Sequence, residues 1–186
     1  ATSSERLVGN GDRNVIRAKE AGLGNLIADA FHAAGNQLAG EFDLDTPDFA
    51  IANGGGVRAD IEIGDITLAT TFDISPFGNI VSVVEDISRE DIAVIFENAY
   101  SKTVDGDDGP GINPVRANVD GTGRFLHVSE GVEVVYDISA TPMELDEDAN
   151  LLVAGERLLS LTINGELIIA DGEVVPGDPL SMVVVD

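Results

Sequence analysis

The chemistry this sequence offers is concentrated in six residues, Asn53-Gly54-Gly55-Gly56-Val57-Arg58. Three consecutive glycines are costly to order, because Gly loses more backbone freedom on folding than any other residue. What they provide is space: without Cβ atoms the backbone admits the close approach of a ligand and permits positive φ. A guanidinium directly after such a turn can fork two hydrogen bonds to a phosphate or to vicinal hydroxyls, which an ammonium cannot do. A second feature lies at Phe77, an aromatic ring set between Pro76 and Gly78 in a loop. Together these residues describe a site for an anion and a flat ring. A tight turn, a surface ion pair or a ring that plugs the core would use the same residue types, and the local sequence leaves these alternatives open.

The charge balance makes the arginines informative. The 186 residues carry 34 Asp and Glu against 10 Lys and Arg, a net charge of −24. Such a field repels polyanions, so duplex DNA, RNA and anionic membranes are poor partners. A solvated acidic surface is the simplest account of it. Apart from Lys19 and Lys102 the bases are all arginines, and an Arg held at a glycine turn in so acidic a chain is a candidate anion site. Cysteine is absent, which excludes disulfides and thiolate metal sites. No apolar run is long enough to span a bilayer. No signal peptide opens the sequence, and the start Ala1-Thr2-Ser3-Ser4 is compatible with a mature terminus.

Hydrolytic machinery is harder to find. It needs a nucleophile with a base, or a metal with its ligands. His32 and His127 are far apart, and neither has metal-ligand spacing to a second His. There is no GxSxG, HExxH or P-loop. The acid-rich loop at 104–123 invites a calcium reading. Counted from Asp105, however, Pro110 stands where an EF-hand needs Gly, and Arg116 where it needs Glu. The residues themselves call for no cofactor.

The elements that must position the glycine turn and Phe77 read as one α+β domain. Leu23, Leu26, Ile27, Ala30, Phe31, Ala34 and Leu38 recur at helical spacing over 23–39, with His32 off the stripe and facing solvent. A short buried strand over 48–53 feeds the turn. Residues 61–63 lead into a hairpin-like turn at Gly64-Asp65, and 66–79 read as irregular. A strand follows over 80–85. Ser88 caps a second helix with Asp91 three residues on, and Ile92, Ile95, Phe96, Ala99 and Tyr100 form its buried face. Residues 124–129 and 132–138 alternate as paired strands. Asn164-Gly165 and Asp171-Gly172 are type I′ hairpin signals, and the last strand covers 180–185. Arg116 and Arg124 fall at loop and strand ends and read as structural.

In their order, "LGNLIADA" (23–30), "NGGGVRADI" (53–61), "GDIT" (64–67), "PFGN" (76–79) and "GRFLHVS…VVYDIS" (123–139) resemble the C-terminal domain of the 5′-nucleotidase family. That family includes UDP-sugar hydrolases and cyclic-nucleotide phosphodiesterases. The resemblance runs from about residue 14 to 186, with 1–13 as an N-terminal linker. It implies mixed β-sheets with two main helices packed on them, layered α/β/β/α. It also implies a periplasmic or extracellular setting. Family members carry an N-terminal metallophosphoesterase domain with two divalent metal ions, for which this sequence has no counterpart. This chain would then be the substrate-recognition half, holding a nucleotide or nucleotide-sugar for cleavage elsewhere, and would itself release no phosphate from AMP. An interaction or structural module without nucleotide binding is the alternative.

Carried over residue by residue, the resemblance gives Arg17 and Arg58 to the ribose or phosphate. It gives Asn53 to the base side of the pocket and Phe77 to one of two rings that sandwich the base. Gly54, Gly55, Gly56, Gly78 and Asn79 complete the two loops. The second ring and a ribose-binding Asp belong to a family motif, F-x-A-x-GGDG-Y, that is expected just past Asp186.

Overall fold

The computed structural model describes residues 1–9, 15–105, 115–117 and 123–185, with only the backbone described at 104, 105 and 115–117. The calcium reading of the 104–123 loop and the Arg116 side chain lie outside the described residues, as does Asp186. In chain order the elements are β1 (Thr2–Ser3), α1 (Gly22–Ala39), β2 (Phe49–Asn53), a 3-10 turn (Gly54–Gly56), β3 (Gly64–Asp65), α2 (Leu68–Ile74), β4 (Val81–Ile87), α3 (Arg89–Tyr100), β5 (Thr103–Asp105), β6 (Val115–Ala117), β7 (Leu126–Val128), β8 (Val132–Tyr136), β9 (Glu144–Leu145), β10 (Leu151–Val153), β11 (Leu158–Ile163), β12 (Glu166–Ala170), β13 (Glu173–Val174) and β14 (Leu180–Val185).

Two four-stranded sheets organise the domain. One is mixed, in the order β4-β14-β2-β7, with β14 parallel to β2 and antiparallel to β4. The other is antiparallel, in the order β13-β12-β11-β8. The main core draws Phe49, Ile87 and Met182 from the first sheet, Leu161, Ile163, Ile168 and Ile169 from the second, and Ile92, Phe96, Ala99 and Tyr100 from α3. Ser88 caps α3 as its sequence implies, accepting the Asp91 N–H at 3.1 Å. Both hairpin signals form with positive φ at each turn residue, Asn164 and Gly165, then Asp171 and Gly172.

Helix α1 packs on the mixed sheet through its smallest residues. Gly24, Ala28, Gly35 and Ala39 are buried with Leu23, whereas Leu26 is 46% exposed and Ala30 also faces solvent. The apolar stripe expected from spacing is therefore rotated. The sheet presses a His127 ring onto Gly24 and the Val183 side chain onto Gly35, and only glycine leaves room there. His32 does not face solvent freely; it is half-buried, and its Nε2–H donates to the Pro47 carbonyl at 2.9 Å.

Three further expectations are corrected. Residues 124–129 and 132–138 do not pair with each other: β7 joins β2 and β8 joins β11, the chain changing sheets through Gly131 at φ 87°. Residues 61–65 form no hairpin. Ile61 bridges Leu7, and β3 pairs with β1, which recruits the first residues of the chain. Within 66–79 a seven-residue helix, α2, is nucleated by a reciprocal cap in which Thr67 and Thr70 each bond the other's backbone N–H.

Candidate functional site

Strand β2 ends at Asn53, and the next three residues wind into one 3-10 turn, too short to act as an α-helix. None of Gly54, Gly55 and Gly56 has positive φ. The space they leave is filled by the protein's own backbone. A Cβ on buried Gly54 would overlap the Ile16 carbonyl oxygen, and one on Gly55 would lie 3.3 Å from the Gly123 Cα. Backbone bonds from the Gly54 N–H to the Phe125 carbonyl (2.9 Å) and from the Gly55 N–H to the Gly123 carbonyl (3.3 Å) hold the turn against the segment leading into β7. Asn53 makes no capping bond to the turn. It is exposed, and its amide lies along the Gly55–Gly56 edge.

Arg17 is brought to this turn from far along the chain. It sits in a tight turn over 15–18, closed by bonds from the Ala18 and Lys19 N–H groups to the Val15 carbonyl. A Cβ on Gly54 would fall 3.1 Å from the Arg17 Cα, and one on Gly123 would fall 3.6 Å from its Nη1. The guanidinium therefore runs beside the glycine turn on the Gly123 side.

Arg58 and Phe77 are brought together. The Arg58 Cζ lies 5.6 Å from the Phe77 ring centroid, within cation–π range. Its Nη1 donates to the Gly55 carbonyl at 3.2 Å, and its backbone N–H donates to the Ile74 carbonyl at the end of α2. Phe77 is 49% exposed and makes no ring–ring contact among the described residues. Gly78 faces open space, so no packing demands its lack of a side chain. Asn79 and Asn53 line one narrow cleft with Gly56, Ser75, Phe31 and Val185. A roomier hollow of about 300 Å³ opens on the other side of Asn53, between Gly123, Arg124 and Asn98. Others lie farther off: about 330 Å³ beside the stacked Tyr100 and Tyr136 rings, about 580 Å³ beside Val94, Leu151 and Leu159, and about 590 Å³ beside Lys102, Leu145 and Glu147.

A small separate core supports these loops. It is built on Ile16, Leu23, Val57, Ile61 and Ile74. Asp60 braces it by accepting the Gly9 N–H at 2.7 Å and pairing with Arg6. The Gly9 bond, aided by Arg6, holds the Asp60 carboxyl below its ordinary range. Arg124 is structural, as expected: its Nη1 donates to Asn98 Oδ1 at 3.0 Å. Among the described residues no group of three or more His, Asp or Glu is placed to hold a metal ion.

Sequence reasoning missed His127. It stands on β7 opposite Ala52, fully buried, and its Nε2–H donates to the Ile16 carbonyl at 2.8 Å while Nδ1 has no partner among the described residues. The signal available was a polar residue at an inward-facing position of an alternating strand. Burial pushes this imidazole below its ordinary value, opposed by the Ile16 bond and by Glu20. The unfolded chain takes up the proton near pH 6.5, the folded one only at lower pH. Stability from the neutral ring is therefore complete above about pH 6.5 and is lost as pH falls from there through the folded pKa. Melting temperatures measured across that window should fall in the wild type, and H127Q should remove that part of the slope.

The family described as "5′-nucleotidase, C-terminal domain" matches residues 1–175. The trifunctional nucleotide phosphoesterase protein YfkN of Bacillus subtilis is 39% identical over 97 residues, which are 52% of this chain and 6% of that protein. Snake venom 5′-nucleotidase of Naja atra is 29% identical over 158 residues, 83% of this chain and 24% of that protein. The crystal structure of a 5′-nucleotidase precursor from Thermus thermophilus superposes over 100% of this chain and 29% of that one, with a TM-score of 0.67 and 28% identity. This chain thus spans less than a third of the length of each of these relatives.

Proposed function

We propose, starting from the fact that this chain belongs to the family of 5′-nucleotidase C-terminal domains, that it recognises a nucleotide or nucleotide-sugar for hydrolysis by another part of a longer protein. The observation that carries the reading is the Arg58 guanidinium against the half-exposed Phe77 ring beside the glycine turn. In this reading the exposed face of Phe77 stacks on the base, while Arg58 and Arg17 take the phosphate or ribose. Asn53 and Asn79 reach the base edge from their shared cleft, and Gly54, Gly55, Gly56 and Gly78 shape the loops. A planar fork suits phosphate and vicinal hydroxyls alike. The two divalent metal ions and the metallophosphoesterase domain belong to the rest of such a protein, which we place in the periplasm or outside the cell. Among the described residues no helix is long and apolar enough to cross a membrane.

Stacking on one ring contributes about 1–3 kcal/mol, so AMP should bind this chain at a Kd on the order of millimolar, about −4 kcal/mol. An NMR titration should move the amide signals of 53–58 and 77–79 first. F77A should raise the midpoint about tenfold, a loss within the stacking range. Shifts confined to other surfaces, or none at tens of millimolar AMP, would sink the reading.

One observation favours the alternative of an interaction module. Ile63, Leu68, Phe72 and Ile80 surround the same loops at 69%, 74%, 63% and 65% exposure, and exposed apolar side chains gathered in this way mark contact surfaces.

A further inference from the structure

We propose that His127 is a positioning residue for Arg17: its single hydrogen bond to the Ile16 carbonyl sets where the 15–18 turn stands against the glycine turn. Two contacts and one covalent link meet at that carbonyl. Its oxygen accepts the His127 Nε2–H at 2.8 Å, it faces Gly54 so closely that no side chain fits between, and Arg17 is the next residue. The bonds from Ala18 and Lys19 to the Val15 carbonyl only close the turn on itself. Through this carbonyl the turn meets His127 of β7, which itself stands opposite Ala52, one residue from Asn53. A move of the Ile16 carbonyl is therefore a move of Arg17 relative to Asn53 and Gly54.

The ring is built in for this contact. It is 1% exposed, seated on Gly24 where any side chain would overlap it, and tilted at 57° to the Phe125 ring. Its Nδ1 is buried without a partner among the described residues. An apolar side chain would fill the same space without leaving a buried acceptor unsatisfied, which is costly. Packing alone therefore gives no reason for an imidazole here; the Nε2–H bond does.

The proposal is tested on the whole chain with H127L, which keeps bulk and loses the donor, and H127Q, whose amide N–H reaches the same carbonyl. Without ligand, H127L should shift the amide signals of 15–19 and of Gly54 and speed amide exchange at Ala18 and Lys19 at least tenfold. H127Q should restore both. With AMP, H127L should raise the titration midpoint of the folded protein about tenfold, with a lowered melting temperature because the buried Ile16 carbonyl loses its donor, and H127Q should bring both back. This second arm rests on the nucleotide reading, whereas the first does not. If wild type and R17A respond to AMP alike, the nucleotide reading fails at Arg17 and the first arm alone decides. Unmoved signals and exchange at 15–19 in H127L would overturn the proposal. If leucine prevents folding, H127N, whose amide falls short of Ile16, takes its place with the same expected outcomes.

Discussion

Gly54→Ala should destabilise the domain by about 3 kcal/mol, the upper end of what overpacking costs. The added methyl would meet the Ile16 carbonyl oxygen and come 3.1 Å from the Arg17 Cα. Both are backbone atoms and cannot rotate aside as a flexible side chain would. The turn is also pinned from behind, through the Gly54 N–H bond to Phe125. Relief must come from separating the 15–18 turn from β2, so the variant should lose nucleotide response along with stability. Its neighbours set the scale. Gly55 would meet its nearest atom at 3.1 Å, a side-chain nitrogen of Asn53, and Gly56 would meet Asn53 Oδ1 at 3.4 Å. Gly56→Ala should therefore cost less than about 1 kcal/mol, helped by the reduced freedom of the unfolded chain. Urea denaturation of the three variants checks the order. Equal losses at all three positions would mean that the glycines are there for something other than backbone contact.

Glu97→Ala should be more damaging still, at about 3–5 kcal/mol, the cost of stripping one partner from a buried charged arrangement. The carboxylate is 7% exposed and accepts the backbone N–H groups of Arg157 and Leu158 at 2.8 and 2.7 Å. Gly155 lies so close beneath it that a Cβ would collide with the carboxylate. The Arg157 guanidinium donates to the Ala140, Tyr100, Ser101 and Thr103 carbonyls. Burial lowers the pKa of Arg157, with Glu97 opposing, but the group stays charged. Alanine would orphan two amides and remove the carboxylate that opposes the cost of burying that cation. Glu97→Gln keeps an acceptor for one amide and should cost about 1–3 kcal/mol, the penalty of one unsatisfied buried group. A loss below about 1 kcal/mol for the alanine variant would show that water takes over the two bonds.

What could be read from the chain was whatever is local. The capped α3 and the two positive-φ hairpins follow from residues within four positions of each other. The buried face of α1 could not be read in this way. Its choice of Gly24 and Gly35 over Leu26 is made by His127 and Val183, more than 100 positions away. Helix α2 was hidden because its seven residues, Leu68–Ile74, are too few for a helical period to stand out, which left only the Thr67–Thr70 exchange as a signal. The pairing of 124–129 with 132–138 was a reasonable reading of two alternating runs, undone by a sheet change at Gly131. At the site, the residue types suggested Arg58 and Phe77 as parts of one anion-and-ring site but not what brings them together. Their approach depends on α2, which hands Ile74 to the Arg58 amide. Arg17 carried no local signal; the carbonyl just before it accepts a bond from a histidine far along the chain, His127.

Strand β14 lies in the middle of its sheet, between β4 and β2, joining residues 49–50 to 182–183. A ribosome therefore releases nearly the whole domain before the strand that joins its two sides exists. Until then the facing edges of β2 and β4 have no partner from this chain, and both are open to pairing with other polypeptides. Closure across so long a stretch of sequence makes this a slow folder for its size. Its recombinant yield should depend more on chaperone supply and growth temperature than the stability of the finished fold suggests.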